Sequence, residues 1–186
     1  MNTGVTQIMW KEIGIGLIIV YVLRNILDIY MVNTYKKYVQ MYERGEFETL
    51  KVKAKKHMKL CNFFSVGPWN KQIYLTYNSL CWLLASMSLV ENNECEFLSY
   101  LNKVKKENEF EMKAFVLSLY YRSKNNIEQT KYYYDLYLKS KHIDGDMAII
   151  MNYVFNENEK KQLIKETAER FNNPAIIKLL RANDIL

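Results

Sequence analysis

Helix-breaking residues are scarce in this chain, with 6 glycines and 2 prolines in 186 residues. Long helices are therefore easy to form, and no Gly/Ser-rich stretch is present to act as a flexible tether. Strand signals are missing as well: no segment alternates in the β-branched manner of a strand, and no Asn-Gly hairpin turn occurs. An apolar content of 49% against 25% charged residues is too high for a disordered chain and sufficient for a core. The length suits one domain with a tail or an anchor.

Residues that carry chemistry are sparse too. Three cysteines, Cys61, Cys81 and Cys95, stand 20 and 14 residues apart. Those spacings match no zinc pattern, and an odd number closes no disulfide framework, so reduced, buried thiols are expected. His57 and His142 sit in Lys-rich surroundings that read as helix ends, with no second imidazole nearby, which speaks against a metal role for either. There is no Gly-rich phosphate loop, no Gly-x-Ser-x-Gly elbow and no His-Glu-x-x-His. Asp144-Gly145-Asp146 lacks the later ligands of a calcium loop and reads as a capping turn. Glu94 and Glu96 belong at a helix start, where carboxylates complement the macrodipole. The sequence thus offers no catalytic residue, no metal site and no cofactor site, and a non-catalytic protein is expected.

What the chain does have is an uneven distribution of charge and hydropathy. The formal net charge is +6. Between Lys36 and Lys59 eight basic residues face three glutamates, and the remainder is nearly balanced. Just before this cluster, Ile13 to Val32 reads IGIGLIIVYVLRNILDIYMV. Its uncharged core, Ile13 to Leu23, has 11 residues, and extension to Val32 reaches the roughly 20 that span a bilayer. The extension takes in Arg24 and Asp28, which are four apart and can pair on a helix. Arg24 can also snorkel toward headgroups. The stretch is apolar all round, unlike an interfacial helix, and lacks the basic start and small-residue cleavage site of a signal peptide. Residues 1–12 then form a short tail, 13–32 a transmembrane anchor and 33–186 the folded domain. The basic cluster on its C-terminal side places the tail outside and the domain in the cytoplasm. With no Gly or Pro between Gly16 and Gly45, the anchor is expected to continue into the domain as one helix. Lys51, Lys53, Lys55, Lys56 and Lys59 would then lie near anionic lipid, at about 1 kcal/mol each, or form a solvated helix face.

A second apolar run, Gln72 to Val90, has 19 residues without a charge. Length alone qualifies it as a span. Thr76, Asn78, Ser79, Ser86 and Ser88 recur through it, however, and it falls in register with a repeat.

Elsewhere apolar residues recur at steps of three and four. They fall at Phe110, Ala114, Leu117 and Tyr121, with Phe115 and Leu119 beside them, and again at Ile127, Tyr134 and Leu138. Breaks occur at Gly45, Asn92-Asn93, Asn125-Asn126, Asp144-Gly145, Asn156 and Asn172-Asn173. Gly and Asn accept the left-handed backbone that ends a helix. Asn173-Pro174 reads as a cap followed by Pro at the first helical position.

The segment Ala114 to Leu138 (AFVLSLYYRSKNNIEQTKYYYDLYL) resembles a tetratricopeptide unit. Leu117 and Ser118 stand for the Leu-small pair of its first helix, Tyr121 for its Tyr, Asn125 for the turn Gly and Tyr134 for the second-helix aromatic. Thr130 stands where Ala is usual. A step of 33 residues back, Leu84, Ala85, Asn92 and Leu101 match, with Phe97 on the usual small position. MYERGEFETL, with Gly45 and Phe47 in the turn, gives a third unit, and residues 144–171 a weaker fourth. The aromatic stretch CNFFSVGPW, near 61–70, is then an insertion. The resemblance implies an all-α array of helical hairpins, an α-solenoid, whose concave groove is lined by first helices. On this register the groove residues are Ser79, Trp82, Ser86, Met112, Phe115, Leu119 and Arg122. Trp, Phe, Met and Arg are anchor types for peptides.

The expectation is a membrane-tethered, cytoplasm-facing adaptor that binds a protein or peptide partner. Two alternatives stay open: a multi-span component of a transport or self-immunity system, and a soluble repeat protein capped by its N-terminal helix. Tyrosines and lysines interleave in KYYYDLYLKSK, but three adjacent helix directions favour packing between hairpins over nucleic-acid contact. The richness in Lys, Asn, Ile and Tyr fits an AT-rich, bacterial genome. Neither the partner's identity nor the oligomeric state can be read from the sequence.

Overall fold

The computed structural model describes residues 3–64, 71–104, 110–140, 145–156, 161–171 and 173–186, and every regular element among them is a helix. In chain order they are α1 (Thr3–Glu43), α2 (Phe47–Phe64), α3 (Lys71–Val90), α4 (Glu94–Lys103), α5 (Phe110–Ser123), α6 (Ile127–Leu138), α7 (Gly145–Asn156), α8 (Lys161–Phe171) and α9 (Pro174–Ala182). The chain divides into two compact units, Met1–Leu80 and Cys81–Leu186, with the boundary inside α3.

In the first unit, α1 runs unbroken for 41 residues, about 60 Å at about 1.5 Å per residue. The expected continuity from the apolar stretch into the following helical segment is therefore present. The last turns of α1 pack on α2. Buried Met31, Tyr38 and Tyr42 on α1 face Leu50, Ala54, His57 and Cys61 on α2. The α2 positions are spaced four, three and four, the seam of a helix with one buried stripe. The Tyr38 hydroxyl donates to the Lys53 carbonyl at 3.4 Å, and Tyr42 lies 5.5 Å from the Phe47 ring across the turn.

The second unit has a denser core, in which Leu84, Leu101, Phe115, Leu119, Ile150, Ile164, Ala168 and Leu180 are fully buried. Helix α5 pairs with α6 and α9, α7 with α8, and α8 with α9. Polar groups lock the ends. Lys178 on α9 donates to the Leu89 and Val90 carbonyls at 2.6 and 3.1 Å, giving a cation to the C-terminus of α3. The Asn183 amide donates to Leu119 O at 3.0 Å, tying the end of α9 to α5. Arg170 grips Asp146 with two nitrogens, at 2.6 and 3.3 Å, joining α8 to the start of α7.

Three turns repeat one geometry. Gly45, Asn92 and Asn125 adopt φ of 73°, 63° and 55°. The next amide reaches back five residues, Glu46 to Met41 O, Asn93 to Ser88 O and Asn126 to Tyr121 O, at 3.0, 2.8 and 3.0 Å. This is the Schellman closure of a helix on a left-handed residue. Asn93 and Asn126 then cap α4 and α6 by accepting from the Glu96 and Gln129 amides, each at 3.1 Å. Asn173 caps α9, with Pro174 at its first position, as the sequence implies. The same closure recurs at Asp184, φ 58°, where the Ile185 amide bonds to Leu180 O.

Several expectations need correction. The apolar stripe expected on α6 is displaced: Ile127 and Leu138 are 83% and 52% exposed, while Thr130 and Tyr137 are buried. Helix α6 packs on α5 through Thr130, Tyr133 and Tyr137, with Tyr133 stacked on Tyr121 and Tyr137 beside Phe115, roughly one residue step around the helix from Ile127 and Leu138. Cys61 to Phe64 continue α2 as helix rather than opening a loop. His57 is a buried residue inside α2, not a residue at a helix end. Residues 65–70 with Trp69, and also His142, Asp144 and Asn172, lie outside the described residues.

Candidate functional site

Two surfaces differ from an ordinary protein exterior. The first is the N-terminal part of α1. Ile15, Leu17, Ile18, Leu23, Ile26 and Ile29 are each 58–64% exposed. Of the apolar window in Ile13–Glu43, 6% is buried, against 61% in Ile73–Val90. Helix α1 is thus long and apolar enough to cross a membrane, and nothing covers it among the described residues. Arg24 and Asp28 form the expected i,i+4 pair, at 3.8 Å. Helix α3 has the same hydropathic qualification, but its side chains form core: Leu80, Cys81, Leu84 and Met87 are fully buried.

Beyond the bare stretch stands the basic helix. Lys55, Lys56 and Lys59 spread across the side of α2 opposite its buried seam, with Lys51 and Lys53 at its two edges. Lys53, Lys56 and Lys59 are exposed, and Lys51 and Lys55 are half-buried. The structure therefore leaves Lys56 and Lys59 turned away from the α1–α2 contact.

The second surface lies where α5, α6 and α7 meet. Tyr134 stacks on Phe155 with centroids 4.1 Å apart and planes 15° from parallel. The Arg122 guanidinium sits 5.4 Å from the same Phe155 ring. Together with Asn125, Ile127, Thr130 and Lys131 they line an open pocket of about 310 Å³. Ile127, 83% exposed, adds an apolar side chain to a lining that also holds the two cations Arg122 and Lys131. The same two helices α5 and α6 also carry a tyrosine stack, Tyr121 on Tyr133 at 5.5 Å and 5°, beside Tyr132, which is 54% exposed.

Of the groove residues expected from the repeat register, Ser79, Trp82, Ser86, Met112 and Arg122 are half-buried and so reach the surface. Phe115 and Leu119 do not. Both are 0% exposed in the core of the second unit, with Phe115 packed 6.3 Å from Tyr137, so neither offers a partner any surface. Arg122 alone of the set lines the pocket just described. Ile127, Lys131 and Phe155 were not nominated from the sequence. Ile127 carried a signal, an apolar residue directly after the cap Asn126, whereas the approach of Phe155 depends on how α7 packs.

Near the α3–α4 turn, Glu94 accepts the Tyr120 hydroxyl at 2.9 Å and pairs with Lys124. The hydrogen bond from Lys124, then that from Tyr120, holds the Glu94 carboxyl below its usual range. Burial, then the bond to Glu94, pushes Tyr120 up to about 12. This cluster joins α4 to α5 and its following turn, so Glu94 does more than complement a helix dipole. Among the described residues no three His, Cys, Asp or Glu side chains converge as metal ligands would. Compared with protein-family models, with curated proteins and with solved structures, the chain matches none.

Proposed function

We propose that this chain is a membrane-tethered, non-catalytic adaptor whose tetratricopeptide-like second unit, on the cytoplasmic side, holds a segment of another protein. The observation that carries the reading is α1. An uninterrupted helix leaves its apolar residues bare for about 20 positions and then packs as part of a folded unit. Exposure of that much contiguous apolar surface to water is far above what a soluble monomer tolerates. The lysines of α2 lie just past this stretch, where the positive-inside bias orients the helix with its N-terminus outside. The 61% burial of Ile73–Val90 favours a core helix there over a second span, and the bareness of α1 disfavours a packed cap.

The binding half of the reading rests on the pocket edged by Arg122, Ile127 and Lys131. Its chemistry suits a segment with one apolar anchor residue beside a carboxylate. Recurrence of the same turn at Gly45, Asn92 and Asn125 supports the repeat resemblance.

Cys95 provides the test, because it is exposed while Cys61 and Cys81 are buried. In intact cells an impermeant maleimide is expected to leave Cys95 unlabelled until the membrane is opened, and the chain is expected to stay in the pellet at alkaline pH. Labelling from outside would sink the orientation, and release by carbonate would sink the anchor. For the partner, crosslinked capture is expected to fall in Trp82→Ala plus Arg122→Ala and to survive substitution at Ser99 on the exposed face of α4.

A further inference from the structure

Three soft donors meet between α1 and α2. His57 and Cys61 are four residues apart on the buried stripe of α2, so their side chains lie one above the other. Met31 reaches both from α1, with its Sδ 2.6 Å from His57 Nε2 and 3.8 Å from Cys61 Sγ. All three are buried, at 3%, 0% and 1% exposure for His57, Cys61 and Met31. The imidazole is held by rings on two sides, Tyr30 at 5.9 Å and Tyr38 at 5.7 Å. Its Nδ1 is buried with no hydrogen-bond partner among the described residues, while Nε2 turns toward a thioether. As packing alone this is a poor arrangement at Nε2, because a thioether sulfur is only a weak hydrogen-bond acceptor.

The donor set has a more specific use. Thiolate, thioether and imidazole together match the preference of monovalent copper, which accepts low coordination numbers and soft ligands. The apolar lining favours a site of zero net charge, and one thiolate neutralises one Cu(I). Two ligands of one metal stand roughly 3.7 Å apart, taking metal–ligand lengths of about 2.0 and 2.3 Å. The Met31 thioether therefore has to swing outward by about 1 Å, an adjustment that an unbranched side chain makes readily. We propose that Met31, His57 and Cys61 form a binding site for a single Cu(I) ion. On binding, a Cu–S bond forms at Cys61, the thiol proton leaves to solvent and copper keeps its oxidation state. The site lies wholly within the first unit, and it stands or falls independently of the adaptor reading.

The full-length chain, reduced and in detergent micelles, is titrated anaerobically with Cu(I) against a colorimetric Cu(I) chelator. One equivalent is expected to be withheld from the chelator, with the ultraviolet absorption of a copper–thiolate bond. Met31→Leu keeps the apolar volume and is expected to weaken binding at least about tenfold. Cys61→Ala is expected to abolish the absorption, while Cys81→Ala and Cys95→Ala bind as the parent does. Helical circular dichroism identifies variants that have failed to fold, and Met31→Leu remains decisive if Cys61→Ala is among them. Surrender of all copper to the chelator by the parent chain overturns the proposal. So does parental affinity in Met31→Leu, loss of the signal in Cys95→Ala rather than Cys61→Ala, or Zn(II) held as tightly as Cu(I).

Discussion

Helices α1 and α3 each carry a window of mean hydropathy above 1, at 1.9 and 1.3, yet their surroundings are opposite. The α1 window is 6% buried and the α3 window 61%. The polar residues separate them. Around Ile13–Leu23 no polar side chain larger than a tyrosine hydroxyl interrupts the apolar surface. In α3, Thr76, Asn78 and Ser88 are among the buried residues, and Ser88 donates to Glu96 at 3.3 Å. Polar atoms placed inward need partners that a protein core provides and lipid tails do not. Hydropathy alone measures willingness to leave water. The placement of polar atoms tells which non-aqueous environment the helix enters.

The sharpest way to break this comparison is to charge one helix and hollow the other. Ile18→Arg with Val22→Arg puts two cations one turn apart on α1, at about 2.5–3.5 kcal/mol each for mid-membrane arginine. Alkaline extraction is expected to release this variant, with its helical circular dichroism retained. Leu84→Ala removes a fully buried side chain from α3 and is expected to lower the stability of the second unit by about 2–5 kcal/mol in urea melts, with membrane retention unchanged. If Leu84→Ala frees the chain and the arginine pair does not, the roles of the two helices are reversed.

Much of this architecture could be read from residues. Asn and Gly at 45, 92 and 125 marked the turns because helix closure needs a left-handed residue, a local requirement visible in one dimension. The cap at Asn173 was legible for the same reason. Faces were harder. Ile127 and Leu138 read as core because they are apolar and correctly spaced, but α6 turns Thr130 and Tyr137 inward instead. Spacing gives the period of a helix, whereas its rotation depends on the neighbour it meets. The copper ligands show the limit from another side. His57 and Cys61 were four apart in plain view, but Met31 lies 26 residues before His57. A search for a second imidazole or a paired cysteine passes over a thioether. The pocket at Arg122 was half legible, since Phe155 joins it only through the packing of α7.

The turns allow a finer comparison between the two units. Gly45 has φ of 73° and open space where a Cβ would sit, so Gly45→Ala meets backbone strain without a clash. It is expected to cost the first unit about 1 kcal/mol in urea melts. Asn125→Ala, at φ 55°, is expected to cost the second unit a similar amount, and Asn125→Gly to change it by a few tenths. Equal losses from Gly45→Ala and Asn125→Gly would show that the two turns are not mechanically equivalent.

The smallest effect concerns the Glu94–Lys124 pair of the second unit. Glu94 is exposed, so Glu94→Gln is expected to cost about 0.2–1 kcal/mol at neutral pH, in the range of surface ion pairs. Its carboxyl is held below the usual value of 4.5 by Lys124 and Tyr120. The stabilisation is therefore complete above pH 4.5 and drains away as pH falls through the depressed value. The parent and Glu94→Gln should converge in acid. At the alkaline end the sign inverts. Tyr120 is raised from 10.0 to about 12, so the stability linked to its protonated form is present below pH 10.0 and lost as pH climbs toward that raised value. Burial is the larger cause there and Glu94 the lesser, so Glu94→Gln should keep most of the alkaline limb while losing the acid one. Urea melts of both chains across this range would separate the contributions. Loss of both limbs in Glu94→Gln would mean that the carboxylate, and not the packing of Tyr120 against Phe97, governs the tyrosine.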